Sequence, residues 1–145
     1  MQGPSLPDPS ALEPIEDHFW TPGGTVSAEA VAVVRGSPIT TSKCFDHAVR
    51  QARRYSYRGQ NMGSLSVNLV LPDWPEERIL EERLPTYARW ARCPVDALAA
   101  AGFGLLATGR RPHADVVFPA IAILWAEKLE AIFKTTEQKN EFQRR

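Results

Sequence analysis

The 145-residue sequence has only two cysteines and three histidines, and it has no excess of either charge. Cys44 and Cys93 are too few for a disulfide scaffold, and together with His18, His47 and His113 they lack the spacing of a four-ligand zinc site. Seventeen basic residues balance seventeen acidic ones, so the positive charge expected of a dedicated nucleic-acid binder is absent. We therefore expect buried free thiols, no metal and no cofactor.

Long apolar runs are also absent. The longest, residues 120–126, is far shorter than the roughly 18 residues that a membrane span needs. The N-terminus, MQGPSLPDPSALEP, has neither a basic start nor an apolar stretch, so it does not predict a signal peptide. The hydrophobic share of 43% and the charged share of 23% are those of an ordinary globular protein. These features predict a cytoplasmic or nuclear protein that does not span a membrane.

Proline dominates the start of the chain. Four prolines within residues 1–14 disfavour any regular element there, because each fixes φ and removes a backbone donor. Residues 15–24 add three large apolar side chains before a Pro-Gly-Gly turn, which predicts a short clip that docks on the body. We predict a flexible proline-rich tail over residues 1–24, including this clip, and a single domain over residues 25–145.

Hydrophobic periodicity predicts both strands and helices in the remaining chain. The alternation over Ser64–Leu71 is typical of a half-buried strand, and Leu84, which precedes Pro85, predicts a kink in a helix. Strands are expected at 30–34, 64–71, 103–107 and 116–118, and helices at 43–57, 75–91, 94–101 and 120–141. The predicted fold is α+β, with a small, mostly antiparallel sheet packed against about four helices.

The helix predicted at 43–57 has a basic face. Its positions are Lys43, His47, Arg50, Arg54 and Arg58. Arginine forks match phosphate and carboxylate oxygens bidentately, so this face is a candidate binding surface for an acidic protein surface or peptide. The alternative is a solvated helix face that the acidic segment at 73–82 neutralises.

Two sets of residues suggest an enzyme instead. His113 and Asp115 follow a Gly-Arg-Arg-Pro turn and Glu127 comes later, which is the outline of a metal-dependent nuclease, although a Glu-x-Lys spacing is absent. Arg35-Gly36 followed by Thr40-Thr41-Ser42 resembles the arginine and Ser-Thr-Ser elements of ADP-ribosyltransferases, but no catalytic glutamate pair matches.

One segment resembles a known family. RLPTYARW at 83–90, LAAAGF at 98–103, Gly109 and Val117-Phe118 resemble the first half of a baculoviral inhibitor-of-apoptosis repeat, the BIR domain, over residues 83–118. The resemblance implies a peptide-binding groove, of which only Trp125 can be carried over to this chain.

The second half of the BIR pattern differs. Val117 and Ala120 stand where the family has its paired zinc cysteines, and no His or Cys follows Trp125. A zinc-binding BIR is therefore excluded, because the thiolate ligands supply its folding free energy. The resemblance implies a degenerate, metal-free relative whose apolar core replaces the metal.

These observations favour a non-enzymatic interaction module or adaptor that binds a protein partner. The alternative is a small enzyme, a nuclease or an ADP-ribosyltransferase-like effector, that acts on a phosphate-bearing substrate through His113, Asp115 and Glu127. Binding of nucleic acid is less favoured, because the chain has no net charge.

Overall fold

A computed structural model describes residues 13–14, 22–25, 29–52, 55–57, 60–108 and 110–144. In these ranges the chain forms ten strands and four helices. The strands are β1 (Glu13–Pro14), β2 (Pro22–Thr25), β3 (Ala32–Ser37), β4 (Tyr55–Tyr57), β5 (Gln60–Asn61), β6 (Ser64–Val70), β7 (Arg89–Pro94), β8 (Gly104–Thr108), β9 (His113–Val117) and β10 (Gln138–Lys139). The helices are α1 (Thr41–Gln51), α2 (Glu76–Glu82), α3 (Val95–Ala101) and α4 (Ile123–Lys134).

Seven of the strands form one sheet in the order β10-β7-β3-β6-β9-β8-β2, and every neighbouring pair is antiparallel. The short strands β1, β4 and β5 form a separate antiparallel sheet. The predicted α+β fold, a small antiparallel sheet with four helices in a single domain, is confirmed for the part of the chain that the structure describes.

The two faces of the large sheet bury different clusters, because successive strand residues point to opposite faces. Val33 belongs to the main core under α1, α3 and α4, whereas Val34 packs with Ile79, Leu80 and Trp90 under α2. The predicted period of two in β6 is confirmed by its main-core residues: Leu65, Val67 and Leu69. We call these the main-core face and the α2 face.

Local signals explain two helix ends. Thr40 caps α1, since its side-chain oxygen accepts a hydrogen bond from the Lys43 amide at 3.1 Å. Gly102 ends α3 with a φ of 99°, a left-handed conformation that favours glycine. A helix ending at this glycine was predicted.

Several predicted element bounds are wrong. The helix at 43–57 ends at Gln51, and residues 55–57 form β4 instead. The helix at 75–91 ends at Glu82, and its predicted continuation beyond Pro85 is the start of strand β7, which pairs with β3 along its whole length. Pairing on both sides of β7 outweighs the helical pattern of its residues.

The chain ends also differ from expectation. The helix predicted at 120–141 spans Ile123–Lys134, and β10 follows it at the edge of the sheet. Glu13–Pro14 pair with β4, although no regular element was expected over residues 1–14, and Pro22–Thr25, which begin within the stretch expected to dock on the body, pair with β8. The rest of the predicted tail and docking clip lies outside the described residues. Within the described ranges, no helix has the length and apolar character needed to cross a bilayer.

Candidate functional site: a cleft where two central strands separate

The two central strands of the sheet pair over only part of their length. Residues of β3 and β6 lie opposite each other from Ala32 and Val70 to Val34 and Asn68, where their pairing ends. Beyond this point β3 stays paired with β7 as far as Ser37, and β6 stays paired with β9 from residue 64 onward. A gap therefore opens inside the sheet between residues 35–37 and residues 64–67.

Arg35 spans this gap. Its Nη1 donates a hydrogen bond to the Ser66 carbonyl at 2.5 Å, which satisfies a backbone acceptor that has lost its strand partner. Burial lowers the pKa of the Arg35 guanidinium, chiefly through desolvation, and the neighbouring Cys44 and Tyr87 act in the opposite direction. The side chain is thus a cation held partly out of water.

Arg35 has no ion-pair partner within the described ranges. Among the residues that the structure describes, no carboxylate lies within ion-pair distance of this guanidinium. A guanidinium carries five N–H donors, and the bond to Ser66 uses only one of them. A partly buried charge without a partner is costly, and the remaining donors have the chemistry to bind an anion.

Arg35 lines a cleft of about 220 Å³. Its lining comes from β3, β6, the start of β9 and the loop after α2: Arg35, Gly36, Ser66, Val67, Asn68, Glu82, Arg83, Leu84, Tyr87 and His113. Two further basic side chains, Arg83 and His113, therefore share the cleft with Arg35, against one carboxylate, Glu82.

The loop at 83–88 forms one wall of the cleft. Arg83 Nε donates to Asn68 Oδ1 on β6 at 3.3 Å, which links the two walls. The Tyr87 ring packs on Gly36: a Cβ built on that glycine would lie 2.2 Å from Tyr87 Cδ1. Only a residue without a side chain allows the ring to lie there.

The C-terminal segment holds this loop from behind. Asn140 is buried, and its Nδ2 donates to the carbonyls of Leu84 at 3.0 Å and Tyr87 at 2.9 Å. Its backbone amide donates to the Ala88 carbonyl at 2.8 Å, and the Arg144 amide donates to the Pro85 carbonyl at 2.7 Å. The loop therefore has a fixed shape although it contains no regular element.

Polar groups continue beneath the cleft. Asp115 is fully buried and accepts a hydrogen bond from Ser66 Oγ at 3.3 Å. His47 is half-buried on α1, with its Nδ1 3.0 Å from the Ser64 carbonyl. Its pKa is lowered, first by desolvation and then by Arg35 and Arg50, while the Ser64 carbonyl and Asp115 oppose the shift. His47 is therefore held in its neutral form at pH 7.

The predicted basic face is only partly described. Lys43 and Arg50 are exposed on α1, as a solvated or partner-binding face requires. His47 instead points toward the sheet, because its ring bonds to the Ser64 carbonyl. Arg54 and Arg58 lie outside the described residues.

The three residues of the enzyme alternative are not brought together. His113 and Asp115 alternate along β9 with Ala114 and Val116, so they project from the α2 face. Glu127 is exposed on α4, which packs against the main-core face. No group of three or more His, Cys, Asp or Glu residues within the described ranges could hold a metal ion.

Trp125, the one residue carried over from the BIR groove, is part of the core. It is 9% exposed, and its ring meets Phe103 edge to face at 5.4 Å between centroids.

Both cysteines are buried free thiols, as expected, and desolvation raises the pKa of each to about 11.

Comparisons with known proteins identify no family for this chain. The chain matches no protein-family model, no curated protein and no solved structure. The chemistry of the cleft therefore carries the functional argument.

Sequence reasoning found this site only in fragments. Arg35 was noted for the ADP-ribosyltransferase resemblance and His113 for the nuclease outline, whereas Asn68, Tyr87 and Asn140 were missed. The one usable signal was the charged residue within the strand AVVRGS, since such a position is costly unless it has a partner.

Proposed function

We propose that this protein is a non-enzymatic interaction module that recognises a phosphate-bearing protein partner through the cleft. The observation that carries the proposal is the partly buried Arg35 guanidinium, which uses one donor on Ser66 and forms no ion pair among the described residues. A phosphate supplies both the missing charge and the planar set of acceptors that a guanidinium fork binds.

The surroundings of Arg35 support binding rather than catalysis. Arg83 adds positive charge, and the His113, Asn68 and Ser66 side chains add polar groups along the same lining. Both walls are fixed by hydrogen bonds, through Arg83 to Asn68 and through Asn140 to the loop. A preformed cleft with convergent donors loses little entropy when its ligand binds.

The basic face of α1 is a second contact surface in this proposal. Lys43 and Arg50 are exposed and can meet an acidic region of the same partner outside the cleft. Exposed charges of this kind change association rates and their salt dependence more than they change affinity.

Titration of the protein with inorganic phosphate and with matched phosphorylated and unphosphorylated peptides tests the proposal. We expect binding only when phosphate is present, and a loss of about 10- to 100-fold in affinity for Arg35→Gln. Arg50→Gln is the matched control in the titration with inorganic phosphate, because it makes the same chemical change on an exposed helix position outside the cleft.

Arg35→Lys is the second variant, because it keeps the charge and a donor for the Ser66 carbonyl. It should retain the fold and show intermediate affinity, since lysine lacks the fork. Equal phosphate affinity in the wild type, Arg35→Gln and Arg35→Lys would overturn the proposal.

We further propose that this chain is a metal-free relative of the BIR repeat. Burial of Phe103 against Phe118 and Trp125 supports a metal-free relative in which aromatic packing takes the place of zinc. The enzyme alternative has less support, because Glu127 lies on the opposite side of the sheet from His113 and Asp115.

A further inference from the structure

The wall of the cleft beside Arg35 is aromatic. Tyr87 lines the cleft, and 43% of its surface is exposed. One side of its ring packs on Gly36, so the exposed part is the side turned away from that glycine. An exposed aromatic surface in a cleft can pack against an aromatic group of a ligand.

The Tyr87 ring is held before any ligand arrives. Its backbone amide donates to the Leu84 carbonyl at 3.3 Å, and its carbonyl accepts from Asn140 Nδ2 at 2.9 Å. Gly36 fixes the ring from the strand side. The aromatic surface is therefore preorganised in the same way as the guanidinium of Arg35.

We infer that the ligand carries its phosphate on an aromatic ring, as phosphotyrosine does, and that this ring packs against Tyr87. The inference rests on the proposed function and names the chemical class that the cleft selects. Since Arg35 and Tyr87 line the same small cleft, a group attached directly to the bound phosphate lies next to the tyrosine ring. An aromatic group gains an offset or edge-to-face contact there that an alkyl group lacks.

The charges of the cleft favour a single phosphate. The cleft holds the guanidinium-bearing side chains of Arg35 and Arg83 and one carboxylate, Glu82, which already pairs with Arg78, in a space of about 220 Å³. Two guanidinium groups balance the two negative charges of a phosphate monoester better than the three or four charges of a di- or triphosphate, so the set of charges suits a monoester. A phosphorylated tyrosine side chain has the single phosphate that suits these charges and the aromatic ring that packs against Tyr87.

The test compares phenyl phosphate with ethyl phosphate by calorimetric titration at pH 7.5. We expect phenyl phosphate to bind more tightly by about 2- to 10-fold, the range of a single aromatic contact. Tyr87→Leu should remove this preference, and Tyr87→Phe should keep it. The thermal unfolding of each variant shows whether the loop at 83–88 stays folded.

A second arm uses peptides that differ only in carrying phosphotyrosine or phosphoserine, and adenosine monophosphate as the nucleotide. Preference for phosphotyrosine supports the inference. Equal affinities for phenyl and ethyl phosphate, or a preference for adenosine monophosphate over phenyl phosphate, overturn it. If ethyl phosphate and inorganic phosphate bind in an Arg35-dependent way without ring preference, the proposed function stands and only the aromatic assignment fails. If no phosphate compound binds, both fail.

Discussion

The Tyr87 ring occupies the space that a side chain on Gly36 would need. A Cβ at residue 36 would lie 2.2 Å from Tyr87 Cδ1 and 2.4 Å from Cγ, well inside van der Waals contact. A residue of strand β3 and a residue of the loop after α2 are thereby coupled, although about fifty residues of chain separate them.

Gly36→Ala should therefore displace Tyr87 and destabilise the fold by about 1–3 kcal/mol, the usual cost of overpacking. The double variant with Tyr87→Ala should recover part of this loss, because the added methyl group then has no ring to meet. Denaturant unfolding of the four proteins in this cycle measures the coupling. Strictly additive free energies would show that the two residues do not contact each other in solution.

Asn140→Ala should destabilise the protein by about 1–3 kcal/mol, because the Leu84 and Tyr87 carbonyls lose a buried donor. Gln143→Ala is the control: its Nε2 reaches the Thr86 carbonyl at only 3.4 Å and is exposed, so its loss should have little effect. Hydrogen exchange should speed up at residues 84–88 in the first variant and not in the second. Equal exchange in both would contradict the role given to Asn140.

Phe103→Ala should cost about 3–5 kcal/mol, since this fully buried ring contacts both Phe118 and Trp125. Trp125 fluorescence should shift to longer wavelength as water enters the cavity. Addition of zinc should restore neither quantity, because aromatic packing and not a metal holds this region in the proposed BIR relative. Recovery of stability by zinc would count against that proposal.

The two thiols should make stability fall in alkaline solution. Burial raises the pKa of Cys44 and of Cys93 to about 11, so the folded state keeps these protons when the unfolded chain has begun to lose them. Stability is then unaffected at neutral pH and falls between about pH 9 and about pH 11, by at most about 1.4 kcal/mol per pH unit for each thiol. Denaturant unfolding at several pH values, with a double Cys→Ala variant as reference, measures this slope.

His47 should have the opposite effect on the acid side. Its pKa is lowered in the folded protein, mainly by desolvation, so the unfolded chain binds the proton more readily. Stability is complete above the ordinary histidine pKa and falls as the pH drops below it. His47→Gln keeps a donor for the Ser64 carbonyl and should flatten the curve between pH 7.5 and 5.5. An unchanged curve would show that other groups control this range.

Sequence patterns predicted the secondary-structure features that depend only on neighbouring residues. The alternation of Leu65, Val67 and Leu69 marks β6, and Gly102 marks the end of α3, because periodicity and a left-handed residue act within a few positions. β7 was missed because Arg89–Pro94 carries no strand pattern of its own. Its conformation comes from pairing with β3 and β10, which lie far away in the sequence.

The cleft was harder to predict for the same reason. The gap at Arg35 depends on where the pairing of β3 with β6 ends, and no local sequence pattern in either strand predicts that position. Asn140 is a buried amide whose partners lie more than fifty residues away. Sequence patterns find buried faces and helix ends, but they do not find carbonyl groups that need a distant donor.

Only three residue pairs join β3 to β6, whereas β3 has six pairs with β7 and β6 has five with β9. The two sides of the sheet are therefore joined over a short length, and the bonds from Arg35 to Ser66 and from Arg83 to Asn68 brace the opening where the β3–β6 pairing stops. A molecule bound in the opening would therefore contact the β3–β7 side and the β6–β9 side of the sheet at the same time.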